Sequence, residues 1–251
     1  MKVVKGLVAL VFSSLWLDSA NADEIHAAVA ANFTSAMKKV VSQFEADTPH
    51  TVKVSYGSSG KIFAQIKNGA PFQVFLSADQ VKPEALEKDG YTVPDSRFTY
   101  AIGALALWSA TPGLVDEHYT ALKTGAFNKL AMANPKVAPY GAAAIDVLSA
   151  LNLTESTKAK WVQGENIAQT YQFVATGNAD LGFVALSQIA DKGHVAEGST
   201  LIIPGNLYRP IRQDAVLLKR AEGHSAAKAL MNYLRSEEAR AIIHSYGYKT
   251  E

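Results

Sequence analysis

The chain has 251 residues, 48% of them hydrophobic and 19% charged, a globular composition with room for one large domain or two modest ones. Lysine and arginine total 24 against 23 aspartate and glutamate, so net charge recommends neither nucleic acid nor an anionic membrane as partner. Cysteine is absent, which excludes disulfides, thiolate metal sites, a cysteine nucleophile and the lipid-bearing cysteine of a lipoprotein.

The chain opens with Lys2 and Lys5, an apolar run over residues 6–17, and then Ala20-Asn21-Ala22, a small-x-small pattern that reads as a signal peptidase site. Residues 1–22 are therefore expected to be a signal peptide cleaved after Ala22, and the mature chain to work in the periplasm. The apolar run is roughly half of the ~20 residues that a bilayer span requires, so a membrane anchor is the poorer reading. Losing Lys2, Lys5 and Asp18 takes the totals from 24 and 23 to 22 basic and 22 acidic side chains.

From Glu24 onward strand-like runs alternate with helical patterns, the signature of an α/β fold with mostly parallel sheets. Residues 25–30 predict a strand, and Met37, Val40, Val41 and Phe44 predict one apolar helical face. Residues 51–56 alternate as a second strand, Ile62 and Ile66 mark a helix, and residues 71–77 read as a buried third strand. A helix carrying Leu86 ends near Gly90. Residues 100–108 form a long apolar run that leaves a first lobe for a second. There the rhythm restarts: a strand at 130–133, a helix with Ile145, Leu148 and Leu151, and a segment at 161–163 before a helix with Ile167, Tyr171 and Val174 that stops at Gly177. Residues 181–184 and 201–203 predict short strands, Pro204-Gly205 breaks the pattern, and residues 211–218 read as the return crossing before a helical C-terminal part. The expected organisation is lobe 1 over 23–101, with about 211–251 returning to it, and lobe 2 over 102–210.

Four strand-to-helix junctions carry small or polar residues. They are Ala31-Asn32-Phe33-Thr34, Gly57-Ser58-Ser59-Gly60, Pro139-Tyr140-Gly141 and Glu165-Asn166-Ile167. A helix start exposes unpaired N–H groups and a partial positive charge, so it attracts anions without lysine or arginine. Each junction taken singly reads more often as a plain helix cap or turn. Two lie in each expected lobe, and together they point to an anion or small polar ligand clamped between lobes.

Enzyme chemistry finds little support. Gly57-Ser58-Ser59-Gly60 does not match the G-x-S-x-G nucleophile pattern, no P-loop is present, and the six histidines have no metal-binding spacing. Asp79, Asp146 and Asp180 read as caps or partners of basic side chains, and Arg209 and Arg212 as solvated residues near the return crossing.

The segments Ala30-Ala31-Asn32-Phe33-Thr34, Ser58-Ser59-Gly60, Gly69-Ala70-Pro71-Phe72, Phe75-Leu76-Ser77-Ala78-Asp79, Asn134-Pro135, Ala138-Pro139-Tyr140-Gly141 and Asp180-Leu181-Gly182-Phe183-Val184 occur in this order. In these the chain resembles the ModA family, the periplasmic molybdate-binding proteins of ABC transporters, over essentially its whole mature length. The resemblance implies a type II periplasmic binding protein fold, two βα lobes joined by two crossings, with a tetrahedral oxyanion held in the cleft by amides and hydroxyls. Position by position it implies Asn32, with Ala31 beside it, at the first junction, Ser59 at the second, and the Tyr140 and Ile167 amides at the third and fourth. Any metal is bound only as the oxyanion, molybdate or tungstate, through these same residues. No cofactor is expected, and the partner is an inner-membrane ABC permease served by a monomer. Some members place a ligand tyrosine after the Leu-Gly-Phe-Val strand, where this chain has Ala185. The alternatives are a sulfate- or phosphate-type binding protein, or an enzyme or sensor domain on the same fold.

Overall fold

The computed structural model describes residues 22–191 and 194–251, so the expected leader lies outside the described residues except for Ala22. In chain order β1 (Glu24–Ala30), α1 (Thr34–Asp47), β2 (Thr51–Gly57), α2 (Ser59–Lys67), β3 (Val74–Leu76), α3 (Val81–Lys88) and β4 (Phe98–Gly103) build the first lobe. The second contains β5 (Leu105–Ser109), α4 (Thr120–Thr124), β6 (Leu130–Ala133), α5 (Pro139–Ala150), α6 (Thr154–Lys158), β7 (Trp161–Gly164) and α7 (Ile167–Ala175). It continues with β8 (Leu181–Ala185), α8 (Leu186–Ile189), β9 (Ala190–Asp191), β10 (His194–Val195) and β11 (Ser199–Ile202). The chain then returns through β12 (Ile211–Leu217), α9 (Ser225–Tyr233) and α10 (Glu237–Ser245).

Two five-stranded sheets result, ordered β2-β1-β3-β12-β4 and β11-β5-β8-β6-β7. In the first, β1 runs parallel to β2 and β3 while β12 is antiparallel to β3 and β4. In the second, β6 is parallel to β7 and β8 while β5 is antiparallel to β8 and β11. The apolar run at 100–108 is thus two strands in different sheets, broken at Ala104. Residues 211–217 are a strand of the first sheet, and the passage back lies in residues 203–210, where Pro204 and Pro210 interrupt pairing.

Alternation along the strands feeds both faces of each sheet. Ile25, Ala27, Val29, Val74, Leu76, Ala215 and Leu217 pack with Met37, Val40 and Leu230 on one face of the first sheet. Ala28, Phe75 and Val216 turn to the other, against Ile62, Ile66 and Leu86. Strands covered on both faces read as near-continuous apolar runs, which is why period alone marks them poorly. Each fully buried Val, Leu, Ile, Phe or Met among them contributes about 1.5–3 kcal/mol of transfer free energy. In the second lobe, Leu105, Leu107, Met132 and Phe183 face α5 residues such as Val147, while Ala106, Trp108 and Val184 share the opposite cluster with Val174 of α7.

The third strand is shorter than the apolar run at 71–77 suggests, in keeping with Pro71, which has no N–H to give a ladder. The helix with Leu86 stops as expected, with Gly90 at φ +75° and its N–H on Glu87 O. Among the described residues no helix is long and apolar enough to cross a membrane.

Candidate functional site

Strands β1, β2, β6 and β7 each run into a helix at their carboxyl ends, and those ends face one another across the cleft, the place where open α/β sheets bind ligands. The lobes are in contact there: the Gly60 N–H donates to Val137 O at 2.9 Å, the Ser187 hydroxyl to Asn32 O at 2.9 Å, and Lys61 Nζ lies 2.7 Å from Glu165 Oε2. A small cavity of about 10 Å3 remains between them, lined by Ala30, Ala31, Asn32, Gly57, Ser58, Ser59, Ala78, Ala138, Pro139, Tyr140, Asn166 and Ile167. All five residues singled out in the sequence, Ala31, Asn32, Ser59, Tyr140 and Ile167, are therefore brought together. The space is far below the ~300–1,000 Å3 of pockets for drug-sized ligands, so it suits only an occupant of a few heavy atoms.

At the first junction a single 3-10 turn, Ala31–Phe33, precedes α1. Phe33 anchors it, edge-on to Tyr100 at 4.8 Å and to Tyr248 at 5.3 Å. Ser59 opens α2 behind Ser58, Tyr140 is the second residue of α5 after Pro139, and Ile167 opens α7. Their amides lie in first turns, where the helix itself supplies no acceptor. Asn166 is a plain N-cap: its side chain accepts the Gln169 N–H at 3.0 Å, while Gln169 Oε1 accepts the Glu165 N–H at 2.7 Å.

The side chains behave differently from the amides. Asn32 Nδ2 donates to Gln213 Oε1 at 2.8 Å and to the Tyr248 hydroxyl at 2.9 Å, which uses both of its protons behind the cavity wall. Gln213 Oε1 also receives the Tyr100 hydroxyl at 3.0 Å, and Gln213 Nε2 donates to the Tyr140 hydroxyl at 3.2 Å. The Tyr248 hydroxyl donates to Asn32 O at 2.8 Å and sits 2.9 Å from Ser187 Oγ. Sequence reasoning missed this polar cluster, which spans both lobes. Burial pushes the Tyr100, Tyr140 and Tyr248 hydroxyls up from their ordinary pKa, so they remain neutral donors.

Ser59 Oγ accepts the Ala78 N–H at 2.9 Å, which leaves its own proton free to donate. Ala185 ends β8, fully buried, with its N–H on Gln188 Oε1 at 3.0 Å. The cavity lining contains no Lys, Arg, Asp or Glu. Asp79 pairs with Lys82 at 2.5 Å, Asp146 takes Arg209 in a two-pronged bond, and Asp180 accepts the Asn128 and Lys129 amides. The arrangement is thus a neutral, donor-rich box made of helix starts, suited to an anion without any fixed cation.

Known proteins share this architecture. Residues 25–249 match the family model described as bacterial extracellular solute-binding protein. The molybdate-binding protein ModA of Azotobacter vinelandii is 55% identical over 242 residues, covering 96% of this chain and 96% of the relative. Its counterpart from Rhodobacter capsulatus is 50% identical over 232 residues, 92% of this chain and 90% of the relative. A solved structure of an Azotobacter vinelandii periplasmic molybdate-binding protein matches with a TM-score of 0.88 at 41% identity, covering 90% of this chain and 99% of that one. With its four helix starts set round one neutral cavity, the chain belongs to the bacterial extracellular solute-binding protein family, among the ModA proteins.

Proposed function

We propose that this protein captures molybdate or tungstate in the periplasm and hands it to an inner-membrane ABC permease, as a monomer and without chemistry of its own. The observation that carries the reading is the convergence of four first-turn amide sites, two from each lobe, on one small cavity whose lining contains no charged side chain. Two relatives of at least 50% identity bear the name molybdate-binding protein, which supports this anion. The amides of Ala31, Asn32, Ser59, Tyr140 and Ile167 and the Ser59 hydroxyl hold the oxyanion, while the side chains of Asn32 and Tyr140 hold the box. Residues 23–101, continued to Gly103 by β4, form with 211–251 one moving body and the rest of 102–210 the other. The signal peptide is removed after Ala22.

The chemistry favours a fully deprotonated dianion, because an amide can only donate. Hydrogenphosphate carries an O–H that needs an acceptor, and an unmet pairing costs about 1–3 kcal/mol. Calorimetric titration of the mature protein against molybdate, tungstate, sulfate and phosphate tests the reading. One site per chain with sub-micromolar molybdate or tungstate affinity, about −8 kcal/mol or stronger, is expected. Heat with phosphate alone, or with none of the four, overturns it.

A further inference from the structure

One polar atom of the cavity wall is unaccounted for by the donor set above. Ser58 is 3% exposed, lines the cavity next to Ser59, and its Oγ is buried without a hydrogen-bond partner among the described residues. A serine in front of a helix normally accepts an N–H from the second or third helical residue. Ser58 holds the N-cap position of α2 with extended backbone, φ −73° and ψ 144°, yet makes no capping bond. The Gly60 amide, the second in α2, is drawn instead across the cleft to Val137 O. The hydroxyl therefore serves neither the helix nor the core, although leaving such a group unpaired inside a protein is costly and rare.

The geometry points to Ser58 as a further ligand: its hydroxyl donates a hydrogen bond to the bound oxyanion, beside that of Ser59. This rests on the oxyanion reading of the cavity. The two serines differ in what else they do. Ser59 Oγ supports the Ala78 amide, so removing it damages the unliganded protein as well as the site. Ser58 Oγ supports nothing in the unliganded chain, so its removal costs only binding. A hydroxyl whose proton and lone pairs are all unclaimed can also turn to follow anions of different radius, which fixed amides cannot do.

The test is Ser58→Ala, read by calorimetric titration with molybdate and by thermal unfolding without ligand. The dissociation constant is expected to rise roughly 10- to 100-fold, the worth of a hydrogen bond to a charged group, while the unliganded unfolding temperature stays level or rises. Ser58→Gly, equally tolerated at an N-cap, should show the same loss and replaces the alanine variant if that one fails to fold. Molybdate binding within twofold of wild type in the folded variant overturns the assignment of Ser58 and leaves the oxyanion reading intact. An unliganded protein that unfolds earlier than wild type, with weakened binding, makes Ser58 a structural residue and also overturns it. A wild-type protein that binds none of molybdate, tungstate, sulfate or phosphate overturns both.

Discussion

Gln213 on β12 donates its side-chain amide to the hydroxyl of Tyr140 on α5 at 3.2 Å, so a strand of one lobe holds the helix start that the other lobe presents to the cavity. The same Gln213 takes a proton of Asn32 at 2.8 Å, whose amide lies on the opposite wall. Replacing Gln213 by leucine leaves one Asn32 proton and the Tyr140 hydroxyl without this partner and removes one of the links between lobes, while the Tyr100 hydroxyl keeps Ser77 O at 3.1 Å. Such orphaned groups cost about 1–3 kcal/mol each. Gln213→Leu is expected to lose at least ~1 kcal/mol in denaturant unfolding and to bind molybdate at least ~5-fold more weakly in calorimetry.

The position of Asn32 sets a pH signature. Asn32→Asp puts a carboxylate, which cannot donate, against Gln213 Oε1 and the Tyr248 hydroxyl in a site 2% exposed. Burial raises the folded-state pKa of such a carboxyl above its unfolded value near 4. The penalty is then full at neutral pH, at least ~2 kcal/mol, and shrinks as pH falls through the raised pKa. Unfolding of Asn32→Asp and Asn32→Ala between pH 4 and pH 8 checks this: the gap to wild type should narrow toward acid for the aspartate variant alone.

Ser59→Ala removes both a free hydroxyl and the acceptor of the Ala78 N–H. Molybdate affinity should fall by about 1.5–3 kcal/mol and unliganded stability by about 1 kcal/mol, measured by titration and by denaturant unfolding.

Gly60 tests closure alone. A Cβ there would stand 2.9 Å from Val137 Cα and 3.0 Å from Val137 O, backbone atoms of the facing lobe that cannot give way as a flexible side chain would. Gly60→Ala should weaken molybdate binding at least ~10-fold, with the liganded radius of gyration by X-ray scattering larger than that of wild type. The nearby Lys61–Glu165 pair, about half exposed or more on both sides, is worth at most ~1 kcal/mol, so Lys61→Ala should change affinity less than about fivefold.

The buried tyrosines predict behaviour in alkali. Tyr100, Tyr140 and Tyr248 have folded-state pKa values raised above the unfolded value near 10, so the folded chain keeps protons that the unfolded chain gives up. Their contribution is fully present below pH ~10 and is lost as pH rises through the raised values, at about 1.4 kcal/mol per pH unit for each tyrosine. Tyrosinate absorbance at pH 11 should report fewer ionised rings in the native protein than in denaturant, and Tyr140→Phe should shallow the loss of stability.

Much of this was readable from residue order, for local reasons. The Met37-Val40-Phe44 face and the four helix starts are written within a few residues of each other, so period and turn chemistry reveal them. What a side chain at such a start does is decided by strands that return from far along the chain. Asn32 and Tyr140 look alike as cavity residues in sequence, yet both turn their polar ends to Gln213, 181 and 73 residues away. Nothing near Ser58 or Ser59 says which hydroxyl is engaged, because Ala78 and Val137 settle it from other loops. The long run at 100–108 also hides its break at Ala104, since strands of two sheets have the same apolar look there.

A box of amides and serine hydroxyls has no group in its lining that changes charge across the ordinary range of growth media; Tyr140, its one ionisable side chain, is held neutral. Capture of the anion then neither takes up nor releases a proton at the protein. Heats of binding should be the same in buffers of different ionisation enthalpy, and affinity should hold level wherever the anion itself remains a dianion. Binding then depends on how much oxyanion is present and not on how acid the water is.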